Sequence, residues 1–431
     1  MKVRIYKTSE PAYRSLIRRI LQRRRGRQGD VEQRVNEIIR SVQREGDRAV
    51  LRYTQEFDRR RMTRATMEVR AGEIERAMAK VPARDLGTLR VAARRIAAFH
   101  RRQLQKTWRY RDSLGLVLGQ IITPLERVGV YVPGGKATYP STVLMNVMPA
   151  KVAGVKEIVM TSPMGSDAPI ILAAAKIAGV DRIFRIGGAQ AIAALAFGTA
   201  TIPRVDKIVG PGNIFVATAK RLVFGEVSID SIAGPSEILL LADDSADPAH
   251  VAADMLSQAE HDELAAALCI TSSPPLAARI QRALEEQLRL TQRRKITMKS
   301  LQNYGAIIVT RDLTEAVRIA NEIAPEHLEL LVRKPEKWAP KIRNAGAIFI
   351  GPYSAPPLGD YLAGPNHVLP TGGSARFFSP LGTYDFLKRT TVIHADKSAL
   401  RSLAPKIIQL ARLEGLDNHA RAIEARFSKE G

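Results

Sequence analysis

Arg-Ile-Phe-Arg-Ile-Gly-Gly-Ala-Gln-Ala-Ile-Ala-Ala-Leu-Ala-Phe (182–197) is the stretch that decides the fold. Its first five residues are a short run of strand character. Gly187-Gly188-Ala189-Gln190 is a turn, and Ala191–Phe197 is apolar and helix-forming. The same order repeats just downstream. Val205–Val209 reads as a strand, ends in Gly210-Pro211-Gly212-Asn213, and is followed by a helix through Lys220. Upstream, Val130–Val132 leads into Pro133-Gly134-Gly135-Lys136, and the strand Ile158–Ser162 precedes the helix Ala168–Ala178. Strands alternating with helices at this spacing are βαβ units, which build a parallel sheet covered by helices on both faces.

A second run of the same kind begins at Glu237–Ala242. It continues through a helix from Pro248 to Glu260, strand Ala265–Thr271, a helix from Leu276 to Leu288, strand Ala306–Val309, a helix from Leu313 to Glu322, and strands Leu328–Val332 and Ala347–Ile350. The fold class is therefore α/β, with two Rossmann-like parallel-sheet domains and smaller helical segments at the N- and C-termini. The expected division is a helical arm over 1–30, a first α/β domain over 31–126 and 236–380, a second over 127–235, and a helical segment over 381–431. Within it, residues 31–56 read as one helix and Leu86–Leu104 as another. Trp108–Leu118 reads as extended, Ile121–Pro124 as a turn into a new region, and Leu400–Leu416 and Ala420–Phe427 as C-terminal helices.

Composition bounds the rest. The chain has 431 residues, 45% hydrophobic and 25% charged, which suits a soluble globular protein of two or more domains. No apolar run reaches the roughly 18–20 residues of a membrane span. Met1–Tyr13 is mixed polar, unlike a secretory signal. The Arg-rich stretch Arg14–Arg27 reads as part of an amphipathic helix with Leu16, Ile17, Ile20 and Leu21 on one face. Cys269 is the single cysteine, so no intrachain disulfide exists, in keeping with the cytoplasm. It lies in an apolar run that reads as a buried strand. The net charge of +23 raises nucleic-acid binding as a rival. The distribution argues against it: between Tyr131 and Leu240 there are ten basic and seven acidic residues, and the excess lies in outer helices.

The glycine turns match neither the Walker spacing nor the G-x-G-x-x-G dinucleotide pattern. Three of them nevertheless follow strands, and two open helices, which presents backbone N–H groups to an anion at the carboxyl ends of parallel strands. With Tyr131, Gln190 and Asn213 at that edge, a nucleotide site is the better reading. Gln258 and His261 share one helix face. Glu326-His327 follows Pro325, and an adjoining acid and imidazole suit proton transfer. Asp360 follows a Pro- and Gly-rich loop, and His419 lies in Glu-Gly-Leu-Asp-Asn-His (414–419). Each has a plain structural alternative: a solvated helix end, a turn aspartate, a structural histidine. His100, His250 and His394 read as structural, and His367 stays open. Oxygen and imidazole donors without thiolate suit a divalent cation that also handles substrate.

At this point the chain resembles histidinol dehydrogenase. The resemblance is carried in order by Val-Gly-Val-Tyr-Val-Pro-Gly-Gly-Lys (128–136), Pro-Ser-Thr-Val-Leu-Met (140–145), Gly-Gly-Ala-Gln-Ala-Ile-Ala-Ala-Leu (187–195), Val-Asp-Lys-Ile-Val-Gly-Pro-Gly-Asn (205–213) and Ile-Ala-Gly-Pro-Ser-Glu (232–237). It continues through Ser-Gln-Ala-Glu-His-Asp (257–262), Ala-Pro-Glu-His-Leu (324–328), Gly-Asp-Tyr (359–361), Gly-Pro-Asn-His-Val-Leu-Pro-Thr (364–371) and Glu-Gly-Leu-Asp-Asn-His-Ala (414–420). It spans about residues 30 to 427, and the very basic N-terminal helix is the main departure. The resemblance implies NAD-dependent oxidation of L-histidinol to L-histidine, the last steps of histidine biosynthesis, with one zinc ion per subunit. It implies Gln258, His261, Asp360 and His419 as zinc ligands, Glu326 and His327 as proton carriers, and Tyr131, Gln190 and Asn213 as NAD contacts. Ser236, His327, Asp360, Glu414 and His419 would line the substrate site, joined by Gln258 and His261. It also implies a homodimer whose C-terminal segment crosses over, so that His419 and Glu414 complete the partner's site. Two rivals are a paralogue oxidising another amino alcohol or a sulfonated diol, and a basic RNA-associated protein.

Overall fold

The structure is a computed structural model that describes residues 2–22, 28–134, 138–163, 168–232 and 234–428. Gly135 and Lys136 of the first glycine turn, Arg23–Arg27 of the basic stretch and Ala233 lie outside the described residues. The chain forms two compact units, Met1–Gln103 with Leu125–Phe386, and Leu104–Pro124 with Leu387–Gly431.

Among the described residues fourteen strands make three sheets. In chain order they are β1 (Ile5–Lys7), β2 (Trp108–Arg111), β3 (Val117–Pro124), β4 (Arg127–Tyr131), β5 (Glu157–Thr161), β6 (Arg182–Phe184), β7 (Lys207–Val209), β8 (Ser228–Ile229), β9 (Glu237–Ala242), β10 (Ala266–Thr271), β11 (Gly305–Val309), β12 (His327–Leu331), β13 (Ala347–Ile350) and β14 (Leu387–His394). The first unit holds two parallel sheets, ordered β1-β11-β10-β9-β12-β13 and β6-β5-β4-β7-β8.

The near-continuous apolar runs of the six-stranded sheet follow from its two covered faces. Ile238, Leu240, Ala267, Cys269 and Ile307 pack on one side with the helices Pro248–Ala259 and Pro274–Gln287. Leu239, Leu241, Leu268, Ile270 and Ile308 pack on the other with Pro11–Gln22 and Leu313–Ile323. Alternate side chains of one strand thus enter different cores, as the period of two dictates. The helices start where capping chemistry permits. Asp247 Oδ1 accepts from the Ala249 N–H at 2.8 Å, with Pro248 in the first turn, and Asp312 Oδ1 accepts from Glu315 N–H at 2.8 Å.

Several local expectations are corrected. The helix expected over 31–56 is two helices, Gln28–Glu45 and Asp47–Asp58, broken at Gly46 with φ of +56°. The N-terminal thirty residues carry a strand as well as helix: β1 pairs in parallel with β11, Ile5 opposite Ile307. In the helix after it, Leu16, Ile17 and Ile20 are buried, whereas Leu21 is exposed. The helix Pro140–Ala153 is absent from the sequence reading because it is apolar all round, with Pro149 inside it, and shows no periodicity.

The second unit is an antiparallel sheet, β14-β3-β2, with the helices Lys397–Leu413 and Asp417–Glu424. Ile121–Pro124 continues β3 instead of turning, and the turn comes earlier, where Asp112 Oδ1 accepts from the N–H groups of Leu114 and Leu116, each at 2.9 Å. The segment after Leu381, expected to be mostly helical, passes through a short 3-10 turn, Thr383–Phe386, into the eight-residue β14. Its Thr390-Thr391-Val392-Ile393 run is β-branched and favours the pleated conformation.

Candidate active site

The six-stranded sheet gathers its polar residues at the amino ends of β9 and β12. The helix Pro248–Ala259 leaves the carboxyl end of β9 and returns to the start of β10, as a crossover between parallel strands must. Its last turn therefore brings Gln258, and His261 just beyond it, to that edge. Ser236 directly precedes β9 and is half-buried, and its carbonyl accepts from Ala266 N–H at 3.0 Å. Ala324 ends the preceding helix in the left-handed region at φ of +53°. This uncommon conformation for alanine turns the chain into Pro325-Glu326-His327.

The Glu237 peptide holds the Glu326-His327 pair in place. Its N–H donates to Glu326 Oε2 at 2.9 Å, and its carbonyl accepts from His327 Nδ1 at 3.0 Å. A carbonyl can only accept, so Nδ1 carries the proton and Nε2 holds the lone pair of the neutral ring. Nε2 is buried without a hydrogen-bond partner among the described residues and lies 3.6 Å from Asp360 Oδ1. Glu326 Oε2 is 3.7 Å from Nδ1. Asp360 sits on the turn Leu358–Leu362, and its carbonyl accepts from His367 Nδ1 at 3.0 Å. The preceding residue must be small, because a Cβ at Gly359 would meet the Phe349 ring at 2.8 Å. That ring lies 5.9 Å from the His327 ring.

Burial pushes the Glu326 carboxyl up to about 7, with His327 pulling against it. For His327 burial favours the neutral ring, but Glu326 and Asp360 outweigh it and raise the imidazole to about 9. Burial lowers His261 below the usual imidazole range despite the Asp360 charge. Burial would raise Asp360, yet the facing His327, with His367 and His261, holds it below the usual carboxylate range. The edge thus combines an ionised carboxylate, a neutral imidazole and an acid–imidazole pair.

The second polar group lies at the carboxyl ends of the five-stranded sheet. Tyr131 ends β4, and its hydroxyl accepts from Gly188 N–H at 3.2 Å. Gln190 is fully buried, and neither atom of its side-chain amide has a partner among the described residues. Asn213 Oδ1 caps the helix Ile214–Val223, accepting from Phe215 and Val216 N–H at 3.0 and 3.1 Å. The oxygen of Asn213 is thus a helix cap.

Sequence reading missed the clamp under this turn. Buried Lys220 donates to Gly210 O at 2.9 Å and pairs with Asp230, whose Oδ2 accepts from Gly210 N–H at 2.8 Å. Gly210 itself has φ of +113°, and a Cβ there would stand 2.1 Å from Tyr131 O. On the reading of this edge as a nucleotide site, Gly210→Ala is expected to lower the affinity for the NAD that the resemblance implies at least tenfold in a calorimetric titration. Displacing packed backbone costs about 1–3 kcal/mol, and about 1.4 kcal/mol is tenfold in binding. Unchanged affinity would show that the turn has no part in the site.

Glu414 and His419 lie in the second unit. Glu414 follows the helix Lys397–Leu413, His419 is in Asp417–Glu424, and both are exposed. Among the described residues no group of three or more His, Cys, Asp or Glu side chains is disposed to hold a metal ion. Cys269 is buried in β10 and its thiol is pushed up by burial, far from a reactive thiolate. His100 is buried and bonds to Ile96 O at 2.8 Å, a structural role. The peptide of Glu237 and the ring of His367 join the site without having been assigned to it. The signal available for both was their place in Gly-Pro-Ser-Glu and Gly-Pro-Asn-His.

A sequence profile described as Histidinol dehydrogenase matches residues 21–427. The chain belongs to the histidinol dehydrogenase family. It is 54% identical to a histidinol dehydrogenase of Syntrophotalea carbinolica over 92% of this chain and 93% of that one. It is 53% identical to one of Aquifex aeolicus over 92% of each. The crystal structure of histidinol dehydrogenase from Elizabethkingia anophelis superposes with a TM-score of 0.93 at 34% identity, covering 99% of this chain and 98% of that one. The fold is accordingly the Rossmann-like α/β fold of that oxidoreductase family. No helix of the described residues is long and apolar enough to cross a membrane.

Proposed function

We propose that this chain catalyses the NAD-dependent, four-electron oxidation of L-histidinol to L-histidine through histidinaldehyde, as a zinc-dependent cytoplasmic homodimer at the end of histidine biosynthesis. The observation that carries this reading is the buried Glu326–His327 pair. The Glu237 peptide aims its Nε2 at Asp360, at the edge that also receives His261.

The donors fit zinc. They are nitrogen and oxygen only, His261 is held neutral and Asp360 ionised, which are the forms a metal binds. Gln258, His261 and Asp360 would hold the ion, with His419 as the fourth ligand. The residues at the second edge fit NAD: a buried Gln190 amide without a partner, Tyr131, Asn213, and glycine turns at the carboxyl ends of parallel strands. Bound there, zinc would supply a Lewis-acid anchor for the substrate, and NAD would supply the hydride acceptor for each of the two oxidations.

The chain's own residues move the protons. His327 Nε2 accepts the hydroxyl proton in the first oxidation, with Nδ1–H fixed on Glu237 O. Glu326 activates the water that hydrates the aldehyde, and His327 accepts a proton again in the second oxidation. Ser236, His327, Asp360, Gln258 and His261 line the substrate from one subunit, and Glu414 and His419 from its partner. The domain of residues 127–235 is the NAD side, and the segment 381–431 is the part that crosses between subunits.

This arrangement has a direct test. His261→Ala and His419→Ala each abolish activity alone. Mixed under conditions where subunit exchange is demonstrated, they regain a fraction of it, because one site of the heterodimer is intact. Absence of rescue under proven exchange would remove the shared site.

A further inference from the structure

Two carboxylic acids behind the proton-transfer pair take no part in the chemistry above. Glu329 lies in β12, two residues after His327, and is 1% exposed. Side chains alternate along a strand, so Glu329 and His327 leave β12 on the same face. Across the sheet Glu329 stands opposite Leu240 of β9 and Phe349 of β13, and Leu240 stands opposite Cys269 of β10. This is the face covered by the helix Pro248–Ala259. Asp254, half-buried in the middle of that helix, is hydrogen-bonded through its side chain to Glu329.

Two ionised carboxylates can only accept, so this bond needs a proton on one of them. The surroundings put it on Glu329. Burial, with the Asp254 charge added, pushes the Glu329 carboxyl far above the usual carboxylate range. Burial raises Asp254 too, while the bond from Glu329 and the nearby His250 work against that rise. His250 itself lies 4.0 Å from Asp247, one turn away on the same helix. Among the described residues no lysine or arginine is paired with either acid. The contact is therefore a neutral acid donating to a carboxylate, a charge-assisted bond between helix and strand.

That bond sets the register of the helix on the strand. The helix runs toward the amino edge of the sheet, and β12 runs away from it. One turn on from Asp254, about 6 Å along the helix axis, is Gln258. Two residues back from Glu329, about 6.6 Å along the strand, is His327. The two steps match. Pinning Asp254 to Glu329 thus brings Gln258, and His261 just beyond it, level with His327 and Asp360. His261 is close enough to both for their charges to act on it.

We propose that the hydrogen-bonded pair Asp254–Glu329 is a strut that positions Gln258 and His261 to hold the metal, so that both acids are positioning residues that touch neither substrate nor ion. The inference rests on the reading of Gln258, His261 and Asp360 as zinc ligands. The test is the zinc affinity of the full-length protein, measured by competition with a chromogenic chelator, beside the melting temperature of the zinc-free protein. Asp254→Leu/Glu329→Met replaces both partners by apolar side chains, an exchange that is close to neutral for a fold. Its zinc affinity should fall by roughly 10–100-fold, the usual effect of losing a group that orients a metal ligand, with the zinc-free melting temperature near wild type. Asp254→Ala, at a half-buried position, cuts the strut from the helix side and should lose as much. Glu329→Gln keeps it, because the amide donates to Asp254 as the acid does, and should bind zinc within about twofold of wild type. Wild-type affinity in both strut-cutting variants, an equal loss in Glu329→Gln, or a loss confined to variants whose zinc-free protein melts well below wild type overturns the proposal. Wild-type protein that binds no zinc removes the functional reading, and this inference falls with it. Zinc bound by wild type and equally by the double variant removes the strut alone.

Discussion

His327→Asn lowers histidinol turnover by about 10²–10⁴-fold, the range of a positioned general base, with the melting temperature and NAD affinity near wild type. Asparagine is the informative choice. Its side-chain amide can donate to Glu237 O as Nδ1 does at 3.0 Å, so the link between β9 and β12 survives while the basic nitrogen is lost. The pH profile separates this role from a structural one. Glu326 and Asp360 together hold the imidazole proton up to about 9, so the ring is mostly charged at neutral pH. The base is the uncharged form, whose fraction grows as pH rises through the folded pKa. Wild-type kcat/KM should therefore climb on the alkaline side and level off near 9, and the variant should lack that rise. A variant keeping more than a tenth of wild-type turnover, or the same alkaline inflection, would remove His327 from the proton path.

Glu326→Gln changes the product instead of stopping the reaction. Glutamine's carbonyl oxygen can still accept from Glu237 N–H, as Oε2 does at 2.9 Å, so the fold is kept. What is lost is a carboxylate that burial raises to about 7, close to the working pH of a general base. The first oxidation continues through His327, while hydration of the aldehyde slows by about 10²–10⁴-fold. Histidinaldehyde should accumulate, captured by an aldehyde-trapping reagent, and NADH per histidinol should fall from two toward one. Full conversion of histidinaldehyde to histidine by this variant would contradict the division of labour between Glu326 and His327.

The parallel sheets were legible because their punctuation is chemical. Gly187 and Gly210 mark strand ends where the backbone passes close to its neighbours, and the β9, β10 and β11 runs are apolar because both faces are covered. Pro140–Ala153 was not legible, since a helix buried on all sides has no polar face to reveal its period. Nor was β14, whose short β-branched run Thr390–Ile393 follows the helix-formers Leu387, Lys388 and Arg389 and shows no alternation of apolar and polar residues. At the site, Glu326-His327 stood out as an adjacent acid and imidazole. What holds them, the backbone of Glu237, has no side-chain signature at all. The distance along the chain from 237 to 327 closes only through the pairing of β9 with β12. Lys220 and Asp230 are equally silent, ten residues apart in sequence and joined only by the turn they clamp.

The measurement that bears most directly on the account is NADH formed per histidinol consumed by the purified protein, with and without a zinc chelator. The account predicts a ratio near two, with histidine as product, and loss of turnover on chelation that added zinc restores. A ratio of one with the aldehyde as end product, or turnover indifferent to chelation, would contradict it.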